Sequence, residues 1–173
     1  MSYFRQNIQR LTGYVPGEQP APGQKVIKLN TNENPYPPSP AALEVLRNLD
    51  AEALRRYPDP LATAFRQVVS KVLDVPVDWI IAGNGSDEVI EMAVRVFVRE
   101  GDEVLIPSPS FAYYRIASVA EGANCIEVPL RDYRIDLEEM ARRVTSSTKL
   151  IFLNNPNNPT GTIYTREEFS KFI

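Results

Sequence analysis

Two turns rich in glycine, asparagine and proline carry the residue types best suited to ligand chemistry in this sequence. The phosphate turn, residues 83–88, follows the apolar run 79–82 and precedes a helical pattern. Backbone N–H groups in the first turn of a helix have no partner within that helix, so they are free to bind a phosphate. The amides of Gly85, Ser86 and Asp87, with the Ser86 hydroxyl, are therefore candidate phosphate ligands.

The phosphate turn also has a purely structural interpretation. Glycine-rich turns form wherever a chain reverses tightly, and Asp87 can simply cap the helix that follows. The order of the glycines differs from GxGxxG and from the Walker pattern, which argues against a dinucleotide or a nucleoside triphosphate. From these residues alone, phosphate binding and plain turn formation both stay open.

The asparagine turn, residues 154–161, follows another apolar run, at the strand end where open α/β sheets bind ligands. Its Asn158 side-chain amide could donate to a phenolate oxygen, although an Asn-Pro turn needs no ligand to form. Residues 107–114 also follow a strand pattern, and Phe111 could stack there on a planar ring. The alternative is that Phe111 and Tyr114 are core residues of the next helix.

Composition excludes several kinds of chemistry. The chain has no histidine and one cysteine, Cys125, so it offers no histidine-based zinc site, no Ser-His or Cys-His nucleophile and no internal disulfide. Its net charge is −3 and its basic residues are scattered, so we expect no nucleic-acid or membrane partner. No signal peptide or apolar run of about 20 residues occurs. We expect a cytoplasmic protein that acts on small molecules.

The pattern along the chain predicts an irregular, proline-rich arm followed by an α/β domain. Ser39-Pro40 predicts a helix to about Leu49, and Asp59-Pro60 predicts another helix. The second helix should face a core with the apolar stripe Leu61, Ala64, Phe65, Val68, Val69 and Val72.

From Trp79 onward, strands and helices alternate, which is typical of an α/β fold. The predicted strands are residues 79–82, 103–106, 125–130 and 149–153. The predicted helices are residues 86–99, about 111–121, one from Asp136 with Glu139 and one from Thr165 with Glu168, the last two opening on capping boxes. The sheet breaks off near Ile173, so the sequence predicts a fragment of a longer protein.

These pieces occur in a specific order, and the chain resembles the front half of the histidinol-phosphate aminotransferase family, within the fold type I pyridoxal phosphate enzymes. The segments that carry the resemblance are residues 14–17, 29–36, 56–59, 83–88, 109–111 and 158–161. The resemblance implies that residues 39–173 form the first part of a three-layer α/β/α large domain with a mainly parallel sheet. Residues 1–38 would be an arm that belongs to the small domain.

The resemblance also assigns cofactor-binding roles, with pyridoxal 5'-phosphate as the cofactor. Gly85, Ser86 and Asp87 would hold its phosphate, in agreement with the free amides expected at that helix start. Phe111 would stack on the pyridine ring, and Asn158 would hydrogen-bond the 3-oxygen of the ring.

Three further residues take roles from the resemblance alone. Tyr57 would reach the phosphate of the cofactor in a neighbouring subunit, which implies a homodimer with sites at the interface. Tyr14 and Asn32 would lie on the substrate side.

The resemblance places no catalytic residue in this chain. In the family, the Schiff-base lysine, the aspartate that pairs with the pyridinium nitrogen and the substrate-binding arginines all come after the position of Ile173. The lysines of the chain match no such context, and they are Lys25, Lys28, Lys71, Lys149 and Lys171. We therefore expect the chain to be inactive when alone.

For the intact protein, the resemblance implies reversible transamination between L-histidinol phosphate and 2-oxoglutarate, giving imidazole-acetol phosphate and L-glutamate in histidine biosynthesis. An aromatic amino-acid aminotransferase and a threonine-phosphate decarboxylase share the same turns and stay open as alternatives. Alternatives of another class are a non-catalytic phosphate-binding α/β module and a dimerisation or folding fragment without a ligand.

Overall fold

The computed structural model describes residues 2–9 and 11–173, and contacts divide the chain into two compact units. The sheet unit comprises the residues up to Tyr14 together with Gly83–Ile173, and the helical unit comprises Val15–Ala82. The predicted boundary between residues 38 and 39 stays a prediction.

Eight helices and three strands lie in the described part of the chain. In chain order they are α1 (Gln6–Gln9), α2 (Pro40–Arg47), α3 (Ala51–Leu54), α4 (Thr63–Leu73), α5 (Ser86–Phe97), β1 (Glu103–Ser108), α6 (Tyr113–Ala120), β2 (Asn124–Pro129), α7 (Leu137–Arg142), β3 (Thr148–Ile151) and α8 (Arg166–Phe172), with a single 3-10 turn at Val77–Trp79. None of the helices in these described ranges has the length and apolar character needed to cross a membrane.

The sheet unit is built around β1, which pairs in parallel with β2 on one side and β3 on the other. Val104 and Ile106 of β1 pack with residues of α5 and α6, including Val94 and Ala117. The intervening Leu105 packs on the opposite face. Side chains alternate between the faces of a strand, so a run of consecutive apolar residues fills two cores at once.

The second core lies on the face of the sheet that Leu105 occupies. It consists of Leu105, Val128 of β2, Ile135 in the loop before α7 and Met140 of α7. Phe172 of α8 packs against it. Helices therefore cover both faces of a parallel sheet. The structure confirms the predicted α/β fold with its three layers.

Residues near the amino terminus attach to the end of α6. The Arg5 guanidinium donates to the Ala120 carbonyl at 2.9 Å, and the Asn7 amide donates to the Val119 carbonyl at 2.9 Å. The last carbonyls of a helix have no partner within it, so these side chains act as a C-terminal cap. The short helix α1 was not predicted from the sequence.

The helix starts in the helical unit follow the predicted capping residues in part. The Ser39 hydroxyl accepts the Ala42 N–H at 3.2 Å and begins α2, as predicted. The Asp59 carboxylate accepts the N–H groups of Leu61 at 3.0 Å and Thr63 at 2.6 Å. Asp59 thus stabilises a turn, and α4 begins only at Thr63.

The predicted strand at residues 79–82 is wrong. The Arg66 guanidinium donates to the Val77 carbonyl at 2.8 Å and to the Ile80 carbonyl at 2.7 Å. These bonds favour a 3-10 turn and occupy an acceptor that strand pairing would use. The sequence run is apolar enough for a strand, but its hydrogen bonds are made to a side chain.

The apolar stripe of α4 forms, but it does not face a core as predicted. Phe65, Val68 and Val72 are all exposed, Val72 to 75%. Every buried residue in the described ranges lies in the sheet unit. Short helices without a sheet to pack against cannot bury this stripe within the helical unit.

The two predicted capping boxes have different outcomes. At α8, the Glu168 N–H donates to the Thr165 hydroxyl at 3.2 Å and the Thr165 N–H donates to the Glu168 carboxylate at 2.6 Å, so the box is complete. At α7, Asp136 accepts the Glu139 N–H at 3.0 Å. The Glu139 carboxylate instead accepts from Arg142 and Arg143, so only half of the predicted box forms.

We expect the capping box of α8 to make the stability of the protein depend on pH in the acidic range. The Thr165 N–H, and then the guanidinium of Arg134, lower the pKa of Glu168 below 4.5. A carboxylate with a lowered pKa binds fewer protons in the folded state, so its stabilisation is present above pH 4.5 and disappears as pH falls through the folded pKa. In urea unfolding, Glu168→Gln should lose less stability than the parent between about pH 5 and about pH 3.

A suitable control for this change is Glu167→Gln on the same turn, because Glu167 pairs only with Lys171 at 2.8 Å. It should keep the acid sensitivity of the parent. Equal acid sensitivity in the parent and in Glu168→Gln would contradict the prediction.

Candidate functional site

The loops that follow the three strands lie at the carboxyl edge of the parallel sheet. A chain of hydrogen bonds joins them. The Thr160 and Thr162 hydroxyls lie 2.9 Å apart after β3, and the Thr162 hydroxyl donates to the Tyr133 carbonyl after β2 at 2.7 Å. The Asn157 amide donates to the Thr160 hydroxyl at 2.9 Å. This edge is where open α/β sheets bind ligands.

The phosphate turn leads into α5 without a capping side chain. Gly85 is the N-cap, with φ 84° and ψ 173°, and no side chain bonds the first-turn amides. The Gly85 N–H itself donates to the Gly83 carbonyl at 2.9 Å. Within the phosphate hypothesis, Gly85 therefore contributes its backbone shape, and Ser86 and Asp87 contribute the free donors.

The Glu88 side chain folds back toward the start of the phosphate turn. Glu88 accepts the Asn84 N–H at 2.5 Å. A Cβ on Gly83 would lie 2.9 Å from a Glu88 carboxylate oxygen, which is closer than real Cβ atoms approach. Glycine at position 83 therefore permits this bond. Asp87 lies in the first turn of α5 and not at its cap, so it is not the plain helix cap of the structural interpretation.

The middle of α5 is tied to the first residue of α6. The Tyr113 hydroxyl donates to the Glu91 carboxylate. This bond raises the pKa of Tyr113, because the negative charge that ionisation would create is placed beside a carboxylate. Tyr113 follows Phe111 by two residues, so the bond holds the end of the loop that carries Phe111 against α5. The sequence did not identify this pair.

Phe111 and Tyr114, which both follow β1, have different surroundings. The Tyr114 ring stacks on Phe152, with centroids 4.2 Å apart, and packs against the core of the sheet unit. Burial raises the pKa of Tyr114. The Phe111 ring is half-buried, precedes α6 and meets Tyr114 in a T-shaped contact at 5.6 Å. The core interpretation is thus right for Tyr114, and Phe111 lies at the edge of the core.

Asn158 is half-buried at the tip of the asparagine turn. The Asn154 side chain is oriented so that both its nitrogen and its oxygen have partners. The nitrogen donates to the Pro156 carbonyl at 3.2 Å, and the oxygen accepts the Asn158 N–H at 2.9 Å. The Asn158 side chain makes no hydrogen bond to any residue that the structure describes, which leaves its amide available for a ligand.

Asn157 is the buried residue of the asparagine turn, and the sequence did not single it out. It is 2% exposed, whereas the neighbouring asparagines 154, 155 and 158 are half-buried or exposed. Four asparagines in one turn look alike in sequence, and only the folded loop distinguishes the one that is buried.

The remaining predicted residues come from other segments of the chain. Tyr57 and Asn32 lie in the helical unit, Tyr57 with a fully exposed side chain and Asn32 with a left-handed backbone, φ 53°. Tyr14 belongs to the sheet unit and is 56% exposed. The Ser110 hydroxyl donates to the Asn157 side-chain oxygen at 2.9 Å and so connects the loop that carries Phe111 with the asparagine turn. The roles of Tyr14, Asn32 and Tyr57 stay predictions.

A cavity of about 480 Å³ lies elsewhere in the sheet unit, between the loop after β2, α7 and α8. Its basic residues are already paired, Arg131 with Asp136 at 2.6 Å and Arg134 with Glu168 at 3.0 Å. None of the residues predicted to bind the cofactor or the substrate lines it. The cavity is therefore not the predicted site.

Comparison with known proteins identifies the family. The chain is 44% identical over 98% of its length to histidinol-phosphate aminotransferase 1 of Trichormus variabilis, and 41% identical over 98% to the protein of the same name of a Nostoc species. It covers 48% of each relative, so the chain spans about half the length of the curated relatives it matches.

A solved structure shares the fold. The crystal structure of histidinol-phosphate aminotransferase from Sinorhizobium meliloti, in complex with pyridoxal 5'-phosphate, matches with a TM-score of 0.85 and 26% identity. The match covers 99% of this chain and 47% of that chain. The family model described as aminotransferase class I and II matches residues 24–173. The chain therefore belongs to the class I and II aminotransferase family.

Proposed function

We propose that the protein is a pyridoxal phosphate-dependent aminotransferase that interconverts L-histidinol phosphate and 2-oxoglutarate with imidazole-acetol phosphate and L-glutamate, in histidine biosynthesis. The observation that carries the proposal is the uncapped first turn of α5 in a chain 44% identical to a protein of that name. A half-buried Phe111 ring and an Asn158 amide that bonds no described residue accompany it. This chain would contribute part of the site.

The donors at the start of α5 fit the phosphate of the cofactor. Ser86 and Asp87 offer first-turn N–H groups without a capping side chain, and the positive end of the α5 dipole favours an anion there. A Cβ on Gly85 would meet nothing within 4 Å, so the approach to the turn is open. We propose that these amides and the Ser86 hydroxyl bind the phosphate.

Phe111 and Asn158 would hold the ring of the cofactor. When bound, pyridoxal phosphate supplies an electron-withdrawing ring that takes up negative charge from the α-carbon of the substrate. The Phe111 ring would contact one face of that ring, and the Asn158 amide would donate to its 3-oxygen. Together with the phosphate ligands they fix the ring plane, which determines the substrate bond that is activated.

We propose that the cofactor is covalently attached to none of the five lysines of this chain. The surroundings of the two lysines in the sheet unit support this proposal. The Lys149 ammonium donates to the Ser146 carbonyl at 3.2 Å, at the amino end of β3 and away from the ligand edge. Lys171 pairs with Glu167 on α8 at 2.8 Å. On this proposal the chain binds and orients the cofactor, and the proton-transfer base comes from elsewhere in the protein.

The homodimer and the cytoplasmic location are parts of the same proposal. Exposed Tyr57 is available to a second subunit, where it would reach the phosphate of the cofactor. With one cysteine the chain forms no internal disulfide, as is usual for proteins of a reducing compartment such as the cytoplasm.

The test uses the protein expressed from its whole reading frame. Pyridoxal phosphate is added, the visible spectrum is recorded, and borohydride reduction is followed by peptide mapping. We expect a reducible visible band, a labelled lysine that is none of the five in this chain, and turnover of histidinol phosphate with 2-oxoglutarate. Absence of the band would contradict the cofactor proposal, and turnover only of phenylalanine or threonine phosphate would contradict the substrate.

A further inference from the structure

We infer that Asn157 is a positioning residue that holds Phe111 and Asn158 in fixed relation to each other, an inference that rests on the proposed function. Asn157 directly precedes Asn158 in the asparagine turn, and the residue it binds across the loops, Ser110, directly precedes Phe111. The side chain of Asn157 is almost completely buried, with 2% exposure. The oxygen and the nitrogen of its amide both bond protein groups, so it would act through its neighbours.

The Asn157 amide joins the loops after β1 and β3. Its oxygen accepts the Ser110 hydroxyl at 2.9 Å. Its nitrogen donates to the Pro109 carbonyl at 3.3 Å and to the Thr160 hydroxyl at 2.9 Å. One planar group with one acceptor and two donors thus satisfies partners on both loops.

The backbone of Asn157 closes the asparagine turn around the same point. Its N–H donates to the Thr162 carbonyl at 2.9 Å, and its carbonyl accepts the Gly161 N–H at 2.7 Å. Both the main chain and the side chain of this residue are therefore fixed. A buried polar group left without its partner is costly, so the two loops are held in the one arrangement that satisfies all these groups.

The chemistry of the link explains why asparagine is required. Aspartate would keep an acceptor for Ser110 but could not donate to the Pro109 carbonyl when ionised. Alanine would remove the partner of the Ser110 hydroxyl and of the Pro109 carbonyl and would break the bond to Thr160. In either case the two loops lose their connection, and Phe111 and Asn158 would no longer hold a common ring in a single orientation.

Asn155 provides a matched control in the same turn. Its amide bonds the backbone of Tyr164, at 3.3 Å for both the donated and the accepted bond, and it makes no bond to the loop after β1. Asn155→Ala therefore perturbs the asparagine turn without cutting the link between the loops.

The test compares Asn157→Ala, Ser110→Ala, Ser110→Thr and Asn155→Ala in the protein expressed from its whole reading frame and loaded with pyridoxal phosphate. Three quantities are measured: visible circular dichroism per bound cofactor, the rate of cofactor release and the thermal midpoint. We expect Asn157→Ala to change the visible dichroism and to speed release about tenfold. Ser110→Ala should produce the same change more weakly, whereas Ser110→Thr, which keeps the hydroxyl, and Asn155→Ala should match the parent.

The outcomes separate this inference from the proposed function. A parent protein that develops no visible band with pyridoxal phosphate would overturn the proposed function. In a second outcome, the parent protein binds pyridoxal phosphate while Asn157→Ala lowers only the thermal midpoint and leaves the dichroism and the release rate unchanged. That result would overturn the inference and leave the proposed function standing. If Asn157→Ala does not fold, Ser110→Ala decides, and its equality with the parent in both cofactor readouts would overturn the inference.

Discussion

Gly85→Ala is expected to lower the affinity for pyridoxal phosphate about 100-fold. A hydrogen bond to a charged group contributes about 1.5–3 kcal/mol, and the turn aligns at least two N–H donors for such bonds. Gly85 has φ 84° and ψ 173°, a backbone conformation available essentially to glycine only. Space is not the obstacle, since a Cβ there would meet nothing within 4 Å. Alanine must instead rotate the backbone, which redirects the N–H groups of Ser86 and Asp87.

The measurement is the dissociation constant of pyridoxal phosphate, followed by visible absorbance, with pyridoxal as a second ligand that lacks the phosphate. Gly85→Ala should weaken the first and leave the second nearly unchanged, because only the phosphate contacts are lost. Equal losses for both ligands would mean that the turn does not bind the phosphate.

Gly101→Ala is the matched control for this prediction. Gly101 also has a positive φ, 87°, and open space around its Cα, but it lies in the turn between α5 and β1, away from the predicted ligands. It should suffer a comparable backbone strain and unfold more easily, without a change in the preference for pyridoxal phosphate over pyridoxal. A similar affinity loss in Gly101→Ala would show that general destabilisation accounts for the effect.

The sheet unit was predictable because its signals are local and mutually consistent. Val104, Leu105 and Ile106 form an apolar run that only a strand buried on both faces accommodates, and the helices on either side carry their own starting signals. The capping box at Thr165 formed as its residues predict. In these segments, hydrophobic pattern and capping chemistry specify the same element.

The sequence was misleading where distant partners decide the outcome. The apolar residues at 79–82 predict a strand, but Arg66, more than ten residues earlier, takes the carbonyls of Val77 and Ile80. The stripe of α4 has helical spacing, yet spacing does not determine what covers it, and Phe65 is 58% exposed. Hydrogen bonds from side chains and the burial of a face both depend on tertiary structure.

For the candidate site, sequence reasoning located the loops but not the residue that joins them. Phe111 and Asn158 come from loops that follow β1 and β3, and parallel topology requires such loops to share an edge. Ser86 was assigned to the same edge because of a strand at 79–82 that does not form. The bond from Ser110 to Asn157 spans 47 positions, and no local pattern encodes it. No sequence pattern indicated that Gly83 leaves room for the Glu88 carboxylate, whose oxygen lies 2.9 Å from where a Cβ would be.

Leu105→Ala is the change with the largest expected effect on stability. Leu105 lies at the centre of the central strand with 0% exposure, packed with Val128, Ile135 and Met140. Truncation removes the side chain that connects β1 to the helices on that face and leaves a cavity, since neighbours on a hydrogen-bonded sheet relax little. We expect the free energy of unfolding to fall by about 2–5 kcal/mol.

The measurement is urea unfolding followed by far-UV circular dichroism, because the single tryptophan, Trp79, lies in the helical unit and its fluorescence would not report on the sheet. Val96→Ala on α5, where Val96 is 73% exposed, is the control and should change stability by no more than about 0.5 kcal/mol. If both variants unfold like the parent, the Leu105 side chain does not connect the sheet to its covering helices. A large loss of unfolding free energy in Leu105→Ala, without one in Val96→Ala, would show that packing on the Leu105 face stabilises the sheet. The loops at the carboxyl edge are attached to that sheet.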